Sequence, residues 1–217
     1  MNRGKRFAIA CGLTGFAVVT SYLFVDRPLS LSMHAEFSQF RNAFMLLTLV
    51  PEPFPVIAVL ILVALGVRSL RGRPLSRPLA VALLWSISLL VTVVINRQLK
   101  FAFGRSWPET WVNNNPSFIR DGVYGFNPFH GGQGFASFPS GHMAATCVAI
   151  TILWIAYPRL RAVYALLVAV VAIGLVGADY HFLSDVIAGG FVGVSIGCLA
   201  AALWEAGGHP RLRPSNP

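Results

Sequence analysis

The chain has 217 residues, a mean hydropathy of +0.65 and only 12% charged residues. A soluble domain carries about twice that share of charge, so the composition argues against a large soluble domain and favours a polytopic membrane protein. The formal net charge is +9, but the basic residues flank apolar segments instead of forming a patch. Lipid headgroups and membrane topology account for such charges, and we expect no nucleic-acid partner.

The first apolar run extends from Phe7 to Val25 and follows a short basic segment. No small-x-small cleavage site follows this run, so we interpret it as an uncleaved anchor helix. From Met33 to Leu47, apolar residues recur at helical spacing among polar neighbours, which predicts a helix in the membrane interface. The prolines of PEPFP, residues 51–55, end that helix.

Five more apolar segments follow along the chain. They run from about Phe54 to Val67, Leu79 to Ile95, His142 to Tyr157, Ala162 to Ala178 and Asp185 to Trp204. With the anchor they predict an all-α, polytopic membrane protein with six transmembrane helices and one interfacial helix. A long polar loop, Asn96 to Phe138, lies between the third and fourth spans.

Small residues recur at every fourth position of the sixth span. They are Gly189, Gly193, Gly197 and Ala201. This spacing predicts a face for close helix packing. All three cysteines lie inside apolar segments, so we expect no disulfide framework.

Most of the 17 basic residues fall on the inner segments if the N-terminus lies inside. The positive-inside rule then places both termini in the cytoplasm and the long loop outside. We expect one membrane domain over residues 1–209, with its motif-bearing part at about 80–200, and a disordered cytoplasmic tail at 210–217.

Three polar clusters meet at the outer face: KFAFGRSWPETW at 100–111, PSGH at 139–142 and ADYHFLSD at 178–185. His181 and Asp185 are four residues apart at a helix start, so they share one helix face. The carboxylate of Asp185 is expected to hold one ring nitrogen of His181 and to leave the other as a nucleophile.

The other two clusters supply charge and a second histidine. His142 opens the fourth span behind the PSGH turn, where helix-start N–H groups suit an oxyanion or a phosphate. Lys100 and Arg105 add positive charge. These parts are what phosphoryl transfer needs. A His/Asp metal site is the rival chemistry, but Lys100 and Arg105 would repel a cation.

In order and spacing the clusters resemble the type 2 phosphatidic acid phosphatase superfamily, which includes lipid phosphatases, glucose-6-phosphatase and vanadium haloperoxidases. The family pattern reads Lys, six residues, Arg-Pro; then Pro-Ser-Gly-His; then Ser-Arg, five residues, His, three residues, Asp. Lys100, PSGH and the His181–Asp185 pair match it. The two arginines of the pattern are replaced, by Trp107 and by Leu175.

The resemblance implies that His181 attacks phosphorus and forms a phosphohistidine, that Asp185 orients it, and that His142 protonates the leaving oxygen and then activates water. Lys100, Arg105 and the Ser140–Gly141 backbone would stabilise the phosphate. Arg105 would take the place of the first missing arginine, and either Arg97 or Arg120 that of the second. We expect no metal and no cofactor.

From this we expect a metal-independent phosphatase in a bacterial inner membrane, with its active-site loop outside the cytoplasm. Its substrate would be a lipid phosphate monoester or diphosphate. The alternatives are a lipid phosphotransferase and a non-catalytic lipid-binding or transport protein on the same scaffold. Polyprenyl diphosphate, phosphatidylglycerol phosphate, phosphatidic acid and lipid A phosphate all remain open as substrates. Trp107 and Trp111 are expected to be interfacial anchors.

Overall fold

In a computed structural model, which describes residues 2–111, 113–209 and Leu212, the N-terminal part of the chain is one long helical run. Helix α1 (Arg3–Thr20) passes through a π-helical turn (Ser21–Val25) into α2 (Asp26–Phe37), and a 3₁₀ turn leads to α3 (Arg41–Thr48). The predicted anchor and interfacial helix are therefore continuous. Pro28 lacks the N–H that would continue the ladder to Phe24, and the helix widens at this point instead of ending.

In the described chain six more α-helices come next, and the first of them begins within the PEPFP segment. They are α4 (Phe54–Leu70), α5 (Arg77–Phe103), α6 (Phe118–Asp121), α7 (Gly141–Ala156), α8 (Arg161–Gly177) and α9 (Leu183–Ala206). The described residues contain isolated β-bridges but no strand, which confirms the all-α class.

Four helical runs of the described chain are long and apolar enough to cross a membrane: Gly4–Thr48, Arg77–Phe103, Pro158–Gly177 and Leu183–Ala206. Helices α4 and α7 are apolar but shorter, with 17 and 16 residues. The membrane class is thus supported, and the count of six spans stays a prediction.

Helix α5 extends past the predicted end of the third span. It continues to Phe103 and ends at Gly104, whose φ of 58° is the left-handed conformation typical of a helix C-terminus. The sequence prediction placed Asn96 to Phe103 in the loop, and this was wrong. Hydropathy falls at Asn96, but the backbone helix continues to Phe103. Arg97 and Lys100 consequently project from a rigid helix.

Helices α7 and α9 pack closely through the small residues of α9. A Cβ on Gly193 would lie 2.8 Å from Cys147 Cβ, and one on Gly197 would lie 2.7 Å from Thr151 Cβ. A Cβ on Gly189 would strike the carbonyl of Ser140. The predicted packing face is confirmed, and it fixes the PSGH turn against the start of α9.

Helix α3 lies across α8 where the family pattern has Ser-Arg. A Cβ on Gly174 would lie 2.7 Å from Leu47 Cβ, and one on Gly177 would overlap the ring of Phe44. Leu175 has no exposed surface. This part of α8 is therefore helix-packing surface.

The C-terminal tail predicted at 210–217 lies outside the described residues, apart from Leu212. That residue is buried, and its carbonyl accepts a hydrogen bond from Nε of Arg77 at 3.1 Å. The three cysteines are free and lie on separate helices, α1, α7 and α9.

Candidate active site

His181 and Asp185 meet at the turn that leads into α9. Nδ1 of His181 lies 3.4 Å from Oδ2 of Asp185 and 3.4 Å from Oγ of Ser137. The same carboxylate oxygen accepts hydrogen bonds from Ser137 Oγ at 2.6 Å and from the Phe182 N–H at 3.1 Å. Nε2 of His181 is buried and has no hydrogen-bond partner among the described residues. One ring nitrogen is held and the other is free.

The imidazole of His181 is 2% exposed. Burial lowers its pKa to about 4, against the attraction of the Asp185 carboxylate. The ring is therefore neutral near pH 7, and the nitrogen without a hydrogen-bond partner among the described residues keeps its lone pair.

Arg105 lies on the far side of the Asp185 carboxylate. Its Nη1 forms a short ion pair with Oδ1 of Asp185, and its Nη2 donates to Oδ2 of Asp26 at 2.8 Å. Asp26, from the start of α2, also accepts a hydrogen bond from the Ser184 N–H at 3.0 Å. This buried network ties the N-terminal helical run to the first turn of α9.

Aromatic rings surround the Arg105 guanidinium. Its Cζ lies 4.3 Å from the ring centre of Phe182 and about 5 Å from three others, those of Tyr22, Tyr124 and Phe126. The residue has no exposed surface, so this geometry offers no contact between Arg105 and a phosphate beside His181. The sequence predicts that Arg105 binds phosphate, whereas in the structure it supports the Asp185 carboxylate from behind.

His142 opens α7 beside the nucleophile candidate. The ring centres of His142 and His181 are 6.4 Å apart, and Tyr180 lies 5.2 Å from each of them. Nε2 of His142 is 2.6 Å from Oε1 of Glu52, in the connector between α3 and α4. The two predicted histidines are brought together, and a carboxylate holds each of them.

A cavity of about 380 Å³ opens in front of His142. Its lining comes from the PEPFP segment, α5 and α7: Pro51, Glu52, Pro55, Thr92, Val93, Asn96, Arg97, Lys100, Gly141, His142 and Ala145. Lys100 approaches Gly141 so closely that a Cβ there would be 3.7 Å from Nζ. Two cations one helical turn apart thus face the start of α7.

Of the other predicted phosphate ligands, some line the cavity and others lie outside it. Ser140 is buried as the N-cap of α7: its Oγ accepts from the Met143 N–H at 3.4 Å, and its own N–H donates to the Asp185 carbonyl at 3.0 Å. Arg120 is 40% exposed and pairs with Asp121 at 3.0 Å; it does not line the cavity. Of the two alternatives for the second arginine, the cavity contains Arg97.

Trp107, which stands at the first arginine position of the family pattern, is 6% exposed. Its ring centre lies 5.1 Å from that of His181 and 5.5 Å from Nζ of Lys100, and Nε1 donates to the Gln133 carbonyl at 2.7 Å. The prediction of an interfacial anchor was wrong for this residue. Trp107 packs inside the site, beside His181 and Lys100.

Sequence reasoning missed three polar residues that contact predicted site residues: Asp26, Glu52 and Ser137. Asp26 had a usable signal, because an acid close to a membrane-length apolar run is a functional candidate. Glu52 and Ser137 belong to no motif, and only the folded chain brings them to the histidines. In the part of the chain that the structure describes, no group of three or more His, Cys, Asp or Glu side chains is arranged to hold a metal ion.

A sequence profile of the PAP2 superfamily matches residues 79–207, more than half of the chain. The chain therefore belongs to the PAP2 superfamily, as the motif resemblance predicts. No solved structure matches it.

Two curated relatives are lipid A 1-phosphatases. The one from Rhizobium etli is 33% identical over 91 residues, which cover 42% of this chain and 36% of the relative. The one from Rhizobium johnstonii is 31% identical over 106 residues, which cover 49% of this chain and 41% of the relative. The chain thus matches less than half the length of each.

Proposed function

We propose that this protein is a lipid phosphate phosphatase of a bacterial inner membrane, which hydrolyses a lipid phosphate monoester or diphosphate through a phosphohistidine at the outer face. One observation carries the proposal. Nδ1 of His181 lies against Asp185 and Ser137, while Nε2 has no hydrogen-bond partner in the described chain and the ring lies beside His142. Membership of the PAP2 superfamily supports the same class of enzyme.

The chemistry follows from the two histidines. Nε2 of His181 gives its lone pair to phosphorus, and the N–P bond forms as the P–O bond to the lipid breaks. The leaving oxygen takes a proton from His142. In the second step water gives a proton to His142 while its oxygen attacks phosphorus, and the N–P electron pair returns to His181. A ring separation of 6.4 Å suits a phosphoryl group whose reacting atoms lie about 3 Å from each side.

Phosphate binding falls to the cations that line the cavity. Lys100 and Arg97 project from α5 toward the start of α7, where Gly141 is the first residue of the helix and lines the cavity. The negative charge of the transferring group is spread over three oxygens, so fixed cations and N–H groups stabilise it. Arg105 acts indirectly, through Asp185.

Lipid A 1-phosphate is the first substrate to test, because the named relatives act on lipid A. The bias of basic residues toward the inner segments supports an extracytoplasmic site with both termini in the cytoplasm. Phosphotransfer would use the same phosphohistidine with a lipid hydroxyl in place of water, so the product distinguishes the two reactions.

The test is phosphate release by the detergent-solubilised protein. The panel contains lipid A, phosphatidic acid, phosphatidylglycerol phosphate and a polyprenyl diphosphate, each with wild type, His181→Ala and His142→Ala. We expect turnover of at least one lipid by wild type only, retained in EDTA and inhibited by vanadate. Folded protein that turns over none of them would favour the non-catalytic alternative, and loss of activity in EDTA that Zn²⁺ or Mg²⁺ restores would favour metal chemistry.

A further inference from the structure

Glu52 occupies a constrained position at the mouth of the cavity. It lies between Pro51 and Pro53, which fix φ on both sides of it, and its N–H donates to the Leu49 carbonyl at 3.1 Å. Its side chain is 57% exposed, while that of His142 is 18% exposed. A carboxylate at the edge of the cavity therefore reaches inward to a mostly buried imidazole.

The contact between Glu52 and His142 defines where the imidazole carries its proton. Oε1 of Glu52 is 2.6 Å from Nε2 of His142. An ionised carboxylate only accepts hydrogen bonds, so the proton of a neutral His142 lies on Nε2. Asp185 faces Nδ1 of His181 instead, and leaves Nε2 free. The two carboxylates thus act on different nitrogens of the two histidines.

The charges around His142 oppose the protonated form that an acid needs. Lys100 and Arg97 line the same cavity from α5, while Tyr180 and His181 face the ring from the turn before α9. Within the described chain, Glu52 is the one acidic side chain of the cavity lining. Without it His142 would face two cations and no anion, which disfavours the imidazolium.

We propose that Glu52 is a positioning residue for His142: it orients the imidazole and favours the charged form that acts as the acid of phosphoryl transfer. This inference rests on the proposed function. A carboxylate that fixes the ring orientation and stabilises the imidazolium increases the fraction of enzyme that is ready to protonate a leaving oxygen.

The first experiment compares Glu52→Gln with wild type on two substrates across pH. On a lipid phosphate, whose leaving alcohol needs a proton, kcat/KM should fall by about 10²-fold. On p-nitrophenyl phosphate, whose leaving group needs little protonation, the loss should stay below about 3-fold. The alkaline limb of the pH profile should move to lower pH by about 1 unit. Glu52→Asp should recover part of the activity.

Glu109→Gln is the matched control. Glu109 is another carboxylate near a histidine and an arginine, 3.7 Å from His34 and 3.8 Å from Arg41, and it does not line the cavity. Glu109→Gln should leave kcat/KM on both substrates, and the alkaline limb of the pH profile, unchanged. Equal losses on the two substrates with an unmoved alkaline limb would show that Glu52 is merely structural. A higher kcat/KM in Glu52→Gln would show that Glu52 competes with phosphate, and would also overturn the proposal.

A second measurement does not depend on turnover. The chain contains five histidines, so ¹⁵N-histidine spectra are tractable, and a His142→Gln sample assigns the His142 signals. In Glu52→Gln those signals should titrate at lower pH than in wild type, and in Glu109→Gln they should not move. An unchanged titration in Glu52→Gln would overturn the inference even for a protein without phosphatase activity, whereas wild-type inactivity alone would count against the proposed function.

Discussion

Arg105 and Asp185 form a buried ion pair in which Nη1 contacts Oδ1, while the other carboxylate oxygen, Oδ2, lies 3.4 Å from Nδ1 of His181. Neither Arg105 nor Asp185 has exposed surface. The carboxylate therefore connects a fixed cation to the candidate nucleophile, and the second end of the guanidinium connects it to Asp26.

Removal of Arg105 should destabilise the fold. Arg105→Ala leaves two buried carboxylates, Asp26 and Asp185, without their cation, and breaking a buried pair in this way costs about 3–5 kcal/mol. We expect a large fall in the thermal unfolding temperature in detergent, with activity lost as a consequence. Arg105→Lys should recover little, since a point charge cannot bridge both carboxylates.

Arg159, which is exposed in the turn between α7 and α8, provides the control, and Arg159→Ala should unfold like wild type. If Arg105→Ala unfolds like wild type but loses kcat/KM by 10²–10³-fold, then Arg105 binds phosphate directly after all, as the sequence predicts.

Substitution of the two cavity cations, Lys100 and Arg97, should lower kcat/KM more than substitution of Arg120. Lys100→Ala should lower kcat/KM by about 10²–10³-fold, the usual result of losing one donor to the transition state. Arg97→Ala should lower it by about 10-fold, because its exposed charge is screened by water and salt. Arg120→Ala should change it less than about 2-fold. A larger effect for Arg120 than for Arg97 would assign the second arginine role to Arg120.

The pH dependence follows from the buried His181. Since its pKa lies at about 4, the acid limb of kcat/KM for the free enzyme should lie near pH 4, well below the value of about 6.5 for an exposed histidine. An acid limb near pH 6.5 would mean that His181 is protonated as readily as in water.

Stability should also depend on pH through His181. The unfolded chain takes up the proton first, at about pH 6.5, and the folded chain only near 4. Stability should therefore be constant above about pH 6.5 and should fall as the pH drops from 6.5 toward 4. Thermal unfolding of wild type and His181→Asn over this range measures the contribution, which should be absent in the variant.

The α7–α9 contact should be sensitive to one added methyl group. In Gly193→Ala the new Cβ would lie 2.8 Å from both Cys147 Cβ and the Val148 backbone nitrogen, and such overpacking costs about 1–3 kcal/mol. Gly66→Ala adds the same group on α4 with nothing within 4 Å, so it should be neutral or slightly stabilising. Equal unfolding temperatures for the two variants would contradict the close packing.

Most of the helices and the His181–Asp185 pair were predictable from the sequence because their signals are local. Apolar runs predicted α4 and α7 to within a few residues, and the four-residue spacing of His181 and Asp185 placed them on one turn. The end of α5 was not predictable from hydropathy, because polar residues continue a helix beyond the apolar region as readily as they begin a loop.

The parts of the site that the sequence did not predict depend on contacts between distant segments. Arg105 lies in a loop whose sequence suggests exposure, but its charge is satisfied by Asp26, 79 residues away. Glu52 and His142 are 90 residues apart. Such partners are set by tertiary packing, and no spacing rule identifies them.

The most direct test of the central claim is to trap the phosphoenzyme. Wild type is mixed with ³²P-labelled lipid phosphate and quenched within one turnover, and the labelled protein is digested to locate the phosphate. The account predicts an acid-labile, base-stable label on the peptide that contains His181, absent in His181→Ala. Wild-type turnover without any such label, or a label that persists in His181→Ala, would contradict it.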